Sequence, residues 1–73
     1  MYFLRIGDDY LEDAVGFKTL KGARDEYEDI AAELYRYGQS LQASIHKAPS
    51  IGGVVEYPDY VLSYEDKVIM ESA

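Results

Sequence analysis

Asp8, Asp9, Glu12 and Asp13 put four carboxylates into six consecutive positions with no base among them. Carboxylates this dense repel one another, and only solvation, a bound cation or a basic partner relieves the repulsion. A calcium loop of the EF-hand type needs alternating oxygen ligands, a central glycine and a late glutamate. This segment lacks that order, so no metal site is expected, which leaves a solvated acidic turn or a binding surface. A second group comprises Asp25, Glu26, Glu28, Asp29 and Glu33, with Arg24 and Arg36 as local offsets. Glu26, Asp29 and Glu33 follow i, i+3, i+7 spacing, which on a helix sets three carboxylates in a row at steps of roughly 4.5 to 6 Å along the axis. Duplex DNA presents one charge per strand about every 3.4 Å, a similar scale. The plain alternative is the charged solvent face that every amphipathic helix has, although these three acids find few bases four positions on. Glu56, Asp59, Glu65, Asp66 and Glu71 form a third group. If their turns share an edge with residues 8–13, one face of the molecule is strongly negative.

Tyrosine is the other residue type used heavily, with eight copies. Tyr2, Tyr27 and Tyr60 fall on periodic apolar positions and are assigned to the core. Tyr10, Tyr35, Tyr57 and Tyr64 are less securely inside, and an exposed tyrosine offers a large, rigid contact area with a polar tip. Pairs such as Asp9-Tyr10, Glu56-Tyr57 and Tyr64-Glu65 suit a surface that meets Arg and Lys. Packing on an edge strand explains them equally well.

Catalytic patterns are missing. His46 is the sole histidine, read as solvent-exposed on the outer side of a strand, with no nucleophile or orienting acid beside it in sequence. The serines lie in no nucleophile-elbow pattern. Gly52-Gly53 is followed by neither a Walker lysine nor a dinucleotide spacing. The chain is therefore not expected to be an enzyme, and no cofactor is expected.

Composition bounds the rest. Fourteen acids against seven bases in 73 residues give a net charge of −7. That field opposes a phosphate backbone and a membrane surface and attracts basic clefts, so direct nucleic-acid binding and membrane association are not expected. With 48% hydrophobic residues the chain is too apolar to be disordered. Seventy-three residues suit a single domain spanning 1–73, which at this size buries roughly 60% of the surface of its unfolded form. There are no cysteines, which suits a reducing cytoplasm. The first seven residues have no signal-peptide pattern, and no run approaches the roughly 20 apolar residues of a membrane helix.

The elements that must position these residues can be read from periodicity. Tyr2, Leu4 and Ile6 alternate with Phe3, Arg5 and Gly7, a strand pattern. Gly7-Asp8-Asp9 is a turn, and residues 10–17 read either as a hairpin partner for that strand or as a helical turn. From Leu20 to Tyr37, Leu20, Ala23, Tyr27, Ile30, Ala31, Leu34 and Tyr37 recur at steps of three and four, one face of a helix. Thr19 is placed to cap it and Gly38 to stop it. Leu41, Ala43 and Ile45 then alternate with Gln42, Ser44 and His46 as a half-buried strand, and residues 48–53 form a loop. Residues 57–64 and 67–71 read as two further strands, with Pro58 at the start of the first or on an edge. The expected fold is α+β, a small antiparallel sheet of three to five strands with one amphipathic helix on one face, in the order β(β)αβββ.

A very small, cysteine-free, strongly acidic, tyrosine-rich α+β chain without a catalytic motif resembles the anti-defence proteins of bacteriophages and mobile elements, anti-CRISPR and other DNA-mimic inhibitors among them. The resemblance covers size, charge and composition along the whole chain. It implies a stoichiometric inhibitor in the bacterial host cytoplasm. Such an inhibitor occupies the basic nucleic-acid-binding surface of a partner such as a CRISPR effector complex, with carboxylates standing in for phosphates. The residues assigned to that contact are Asp8, Asp9, Tyr10, Glu12, Asp13, Asp25, Glu26, Asp29 and Glu33. The competing expectation is an intracellular interaction domain that forms a homodimer through a sheet edge or a tyrosine patch.

Overall fold

Alternating apolar residues build a sheet, and the three-and-four spacing builds the helix that covers it. The computed structural model describes residues 1–54 and 56–73. In chain order they form β1 (Tyr2–Ile6), a 3-10 turn (Leu11–Asp13), β2 (Val15–Phe17), α1 (Leu20–Arg36), β3 (Ala43–Lys47), a second 3-10 turn (Ile51–Gly53), β4 (Tyr60–Tyr64) and β5 (Val68–Ser72). The strands make one antiparallel sheet in the order β2-β1-β3-β4-β5, and the fold is α+β.

Register decides which side chains meet the helix. Leu4 lies opposite both Val15 and Ile45, Ala43 opposite Leu62, and Leu62 opposite Met70. Leu4, Ala43, Ile45, Leu62 and Val68 join Ala23, Tyr27 and Ala31 of α1 in the core. The alanines lie one turn to either side of Tyr27, so the helix backbone comes close to the sheet while one large ring fills the gap. Tyr27 is fully buried, and its hydroxyl donates to the Leu41 carbonyl at 2.5 Å. Burial also holds its proton above the ordinary tyrosine value of 10.0.

Both helix ends follow from single residues. Thr19 Oγ1 accepts from the Gly22 amide at 3.0 Å, satisfying a donor that the first turn leaves free. At the other end Gly38 adopts φ +76°. Its amide donates to the Tyr35 carbonyl and that of Gln39 to the Leu34 carbonyl, the paired bonds of a Schellman stop.

The hairpin-partner reading of residues 10–17 holds: Val15–Phe17 pairs antiparallel with β1, after a 3-10 turn at Leu11–Asp13 that carries the clustered acids. The structure departs from the sequence reading in four places. Tyr37 is 76% exposed and Ile30 is 36% exposed. Tyr37 falls beyond the last helical residue, and Ile30 sits on the helix flank. β3 begins at Ala43, after Leu41 and Gln42 have carried the chain across from α1. β4 begins at Tyr60, since Asp59 turns the chain inward and its amide donates to the Ile45 carbonyl; Tyr57 stays outside at 85% exposure. Finally, β5 is Val68–Ser72, shifted by one residue.

His46 is a further correction. It was read as exposed and is 1% exposed, on the sheet face away from the helix. Phe3, its register partner, is also buried, and its ring lies over Gly16, where an added Cβ would come within 2.9 Å of it. His46 Nε2 and Ser44 Oγ are 2.9 Å apart. This second face is thus partly a core of its own.

The Tyr27 bond gives the first test. Tyr27→Phe should lower the unfolding free energy in urea by about 1 kcal/mol at pH 7. The unfolded chain releases this proton before the folded one, so the parent should lose stability as the pH rises above 10.0. The phenylalanine variant should show a shallower alkaline loss; equal stability and equal slope would show that the phenol carries neither effect.

Candidate functional site

The turn after β1 is built to present acids. Gly7 takes φ +56°, at the first central position of a turn closed by the Asp9 amide donating to the Ile6 carbonyl at 3.1 Å. The Gly7 amide donates to the Gln42 carbonyl at 2.7 Å. Arg5 Nε donates to the Asp9 carbonyl at 2.7 Å. The nearest guanidinium is thus spent on backbone, and the carboxylates of Asp8 and Asp9 remain exposed. Tyr10, Glu12 and Asp13 follow, all exposed, with Tyr10 at 74%.

Topology brings the third group partly beside them. β3 runs antiparallel to β1 with Ala43 opposite Ile6, and β4 returns with Leu62 opposite Ala43. The β4–β5 turn, which carries Glu65 and Asp66, therefore lies at the same end of the sheet as residues 8–13. The two loops are separated by two strand spacings, roughly 10 Å. Glu56, Asp59 and Glu71 are carried elsewhere. Asp59 has a structural task, accepting the Lys47 amide on Oδ2 at 2.7 Å.

The helix points its acid row toward the β2 side of the sheet. Successive helical residues turn by about 100°. Tyr27 marks the core side, and Tyr35, about 80° round from it, meets the Tyr64 ring of β4 edge to face with centroids 5.4 Å apart. Glu26, Asp29 and Glu33 lie about 100–160° round in the opposite sense, on the flank away from β4 and toward β2. All three are exposed. Asp25, about 160° round on the other side of the outer crest, is held by Lys21 at 2.6 Å, the one ion pair among the described residues. Glu26, Asp29 and Glu33 are thus exposed on the β2 side of the helix without an ion-pair partner, whereas Asp25 has its lysine.

The charge is uneven along the molecule. α1 ends beside the acidic loops, so its negative pole adds to theirs. Arg36 and Lys67 are the bases there besides the engaged Arg5. Lys18, Lys21 and Lys47 lie at the opposite end, Lys47 within 5.7 Å of the Tyr2 ring centre.

Between the helix C-terminus and β4 runs an open groove of about 680 Å³ lined by residues including Tyr35, Arg36, Gln39, Leu41, Tyr64 and Glu65. Hydrogen bonding and charge from the nearby Asp66 carboxylate hold the Tyr35 phenol above its ordinary pKa. This groove went unseen in the sequence. Its one signal was Tyr64-Glu65, and nothing in the spacing joined that pair to Tyr35. Ser44 and His46 line neither this groove nor a smaller hollow behind the sheet.

The chain matches no protein-family model, and no curated protein or solved structure is significantly similar to it.

Among the described residues no group of three or more His, Asp or Glu is gathered closely enough to hold a metal ion, and no helix is long and apolar enough to cross a membrane. All fourteen carboxylates are exposed, so their mutual repulsion opposes folding and salt should relieve it. Raising NaCl from 10 mM to 0.5 M is expected to add on the order of 1 kcal/mol to the stability measured by urea unfolding. A loss of stability with salt would mean that attractive pairs outweigh the repulsion.

Proposed function

We propose that this protein is a stoichiometric inhibitor that docks its acidic end and helix flank on a basic, nucleic-acid-binding surface of a partner protein. The carboxylates take the positions that phosphates would occupy. The observation that carries this reading is the exposure of Asp8, Asp9, Glu12 and Asp13 around one turn and of Glu26, Asp29 and Glu33 along α1, none of them in an ion pair among the described residues. Like charges held together at a cost to stability are explained when a cationic surface receives them. Tyr10, rigid and exposed amid the acids, supplies contact area to a guanidinium. The partner class that fits is a defence nucleoprotein of a bacterial cell such as a CRISPR effector complex. The protein's origin is then a bacteriophage or mobile element and its site of action the host cytoplasm.

A second reading has an observation of its own. β5 is an edge strand of five residues with no proline or lysine within it. Beside it, the hollow on the face away from the helix measures about 260 Å³ and is lined by Val61 and Ile69 among others. Edges left this open invite strand pairing, here with a second copy of the chain. The two readings respond oppositely to salt, which weakens a contact between acids and bases and screens the repulsion between two copies of charge −7.

The test is capture of effector complexes by immobilised protein, in parallel with a variant carrying amides at Asp8, Asp9, Glu12, Asp13, Glu26, Asp29 and Glu33. The parent should retain a nucleoprotein complex, lose it as salt rises and be displaced by excess duplex DNA. The amide variant should bind at least about tenfold more weakly. Equal retention by both forms, or indifference to DNA, overturns the reading. Sedimentation of the free protein as a dimer that salt strengthens would favour the second.

A further inference from the structure

We propose that the groove between the C-terminus of α1 and β4 is a receptor for an arginine side chain of the partner's phosphate-binding surface. This inference deepens the functional reading above and rests on it for the identity of the partner. The groove's own geometry supplies the chemistry. Tyr35 and Tyr64 stand edge to face at 5.4 Å, so one ring buttresses the other and both stay in place while 42% of Tyr35 remains exposed. A guanidinium laid against such a ring gains a cation–π contact that a preordered pair offers at little cost in side-chain entropy.

Negative charge stands at the same mouth. Glu65 lines the groove, and Asp66 follows it in the β4–β5 turn, exposed and without an ion-pair partner among the described residues. Asp66 has φ +72°, the one left-handed non-glycine among the described residues. Glycine would take that conformation more cheaply. An aspartate there keeps a carboxylate that adds to the field around Glu65. The helix ends at this rim, so its negative pole faces the same space.

Arginine fits this arrangement better than lysine. Its planar fork can stack on a tyrosine while donating two parallel bonds to a carboxylate, and it sheds water more readily than an ammonium. Gln39 offers a polar edge for the remaining donors. Arg36 also lines the groove and is exposed. Its guanidinium opposes an incoming cation, so its removal should strengthen binding. That sign separates an arginine receptor from an anion site, which Arg36 would serve.

The experiment is an amide-resolved NMR titration of the full chain with Nα-acetyl-arginine amide, alongside the neutral isostere Nα-acetyl-citrulline amide. Saturable shifts confined to residues 35–42 and 63–66 are expected with arginine and not with citrulline. Glu65→Gln should weaken binding by about threefold or more, as should Asp66→Asn, which keeps a residue tolerant of positive φ. Arg36→Gln should tighten it by a similar factor. Tyr64→Leu should abolish the saturable shifts, whereas Tyr64→Phe, which keeps the ring, should retain them. Equal shifts with citrulline, shifts spread evenly over residues 8–13 and the acid row of α1, or weaker binding by the Arg36 variant would overturn the proposal. Failure of effector capture with a localised arginine response would remove the partner and leave the receptor. Capture without that response would do the reverse.

Discussion

The hydrogen bond from Tyr27 to the Leu41 carbonyl is the constraint on which the rest of the molecule depends. Tyr27 is the one large side chain between two alanines on the buried stripe of α1, so it sets how closely the helix approaches the sheet. Its hydroxyl must find a partner inside, since an unpaired buried phenol costs on the order of 1–3 kcal/mol. The partner it finds belongs to the segment that carries the chain from α1 into β3. One contact therefore sets the depth of the helix and ties it to the entry of the adjoining strand. Everything at that end then has a position: the Schellman stop at Gly38, the Tyr35 ring against Tyr64, and the floor of the groove at Leu41.

Charge sets the opposing requirement. A domain this small has little stability to spare, and a net charge of −7 reduces it further. The structure keeps that repulsion out of the core by placing every carboxylate at the surface, most of them in turns or on the outer helix. A few have folding tasks as well. Asp59 closes the β3–β4 connection through the Lys47 amide, Asp66 occupies a left-handed turn position, and Asp25 pairs with Lys21. The other eleven of the fourteen carboxylates, those of residues 8–13 and of Glu26, Asp29 and Glu33 among them, have no such task in the described contacts.

What could be read from sequence follows from how local each signal is. The span of α1, its cap at Thr19 and its stop at Gly38 depend on spacing and on single residues, and all were legible. So were the alternations of β1 and β3 and the α+β order. His46 was misread because alternation identifies two faces of a strand without saying that both are covered. Its burial goes with Phe3, its partner on β1, lying over Gly16 of β2, an arrangement between strands that has no local signature. Tyr37 matched the helical period, yet the period continues on paper after the glycine stop has ended the helix. Of the candidate site, the row of Glu26, Asp29 and Glu33 was visible from helical spacing. Which side of the sheet that row faces was not, because it depends on which flank of α1 meets β4. The Tyr35–Tyr64 contact that settles the flank joins residues 29 positions apart.

The helix also divides two kinds of interaction by range. On its β2 side the carboxylates stand on open surface, where their field reaches about 8–10 Å at physiological salt and acts before contact. Such a field speeds and orients encounter but discriminates poorly among basic surfaces. On its β4 side the charges are fewer and lie around a groove with two tyrosine rings, where binding requires desolvation and a fitted shape. On the proposed function, steering and selection would fall on opposite flanks of one element whose depth is set by Tyr27. A basic surface that offers charge alone satisfies the first flank and leaves the groove empty. A surface that also projects an arginine at the right distance satisfies both, and that second condition is what would let a protein this small distinguish its target from the many other basic surfaces in a cell.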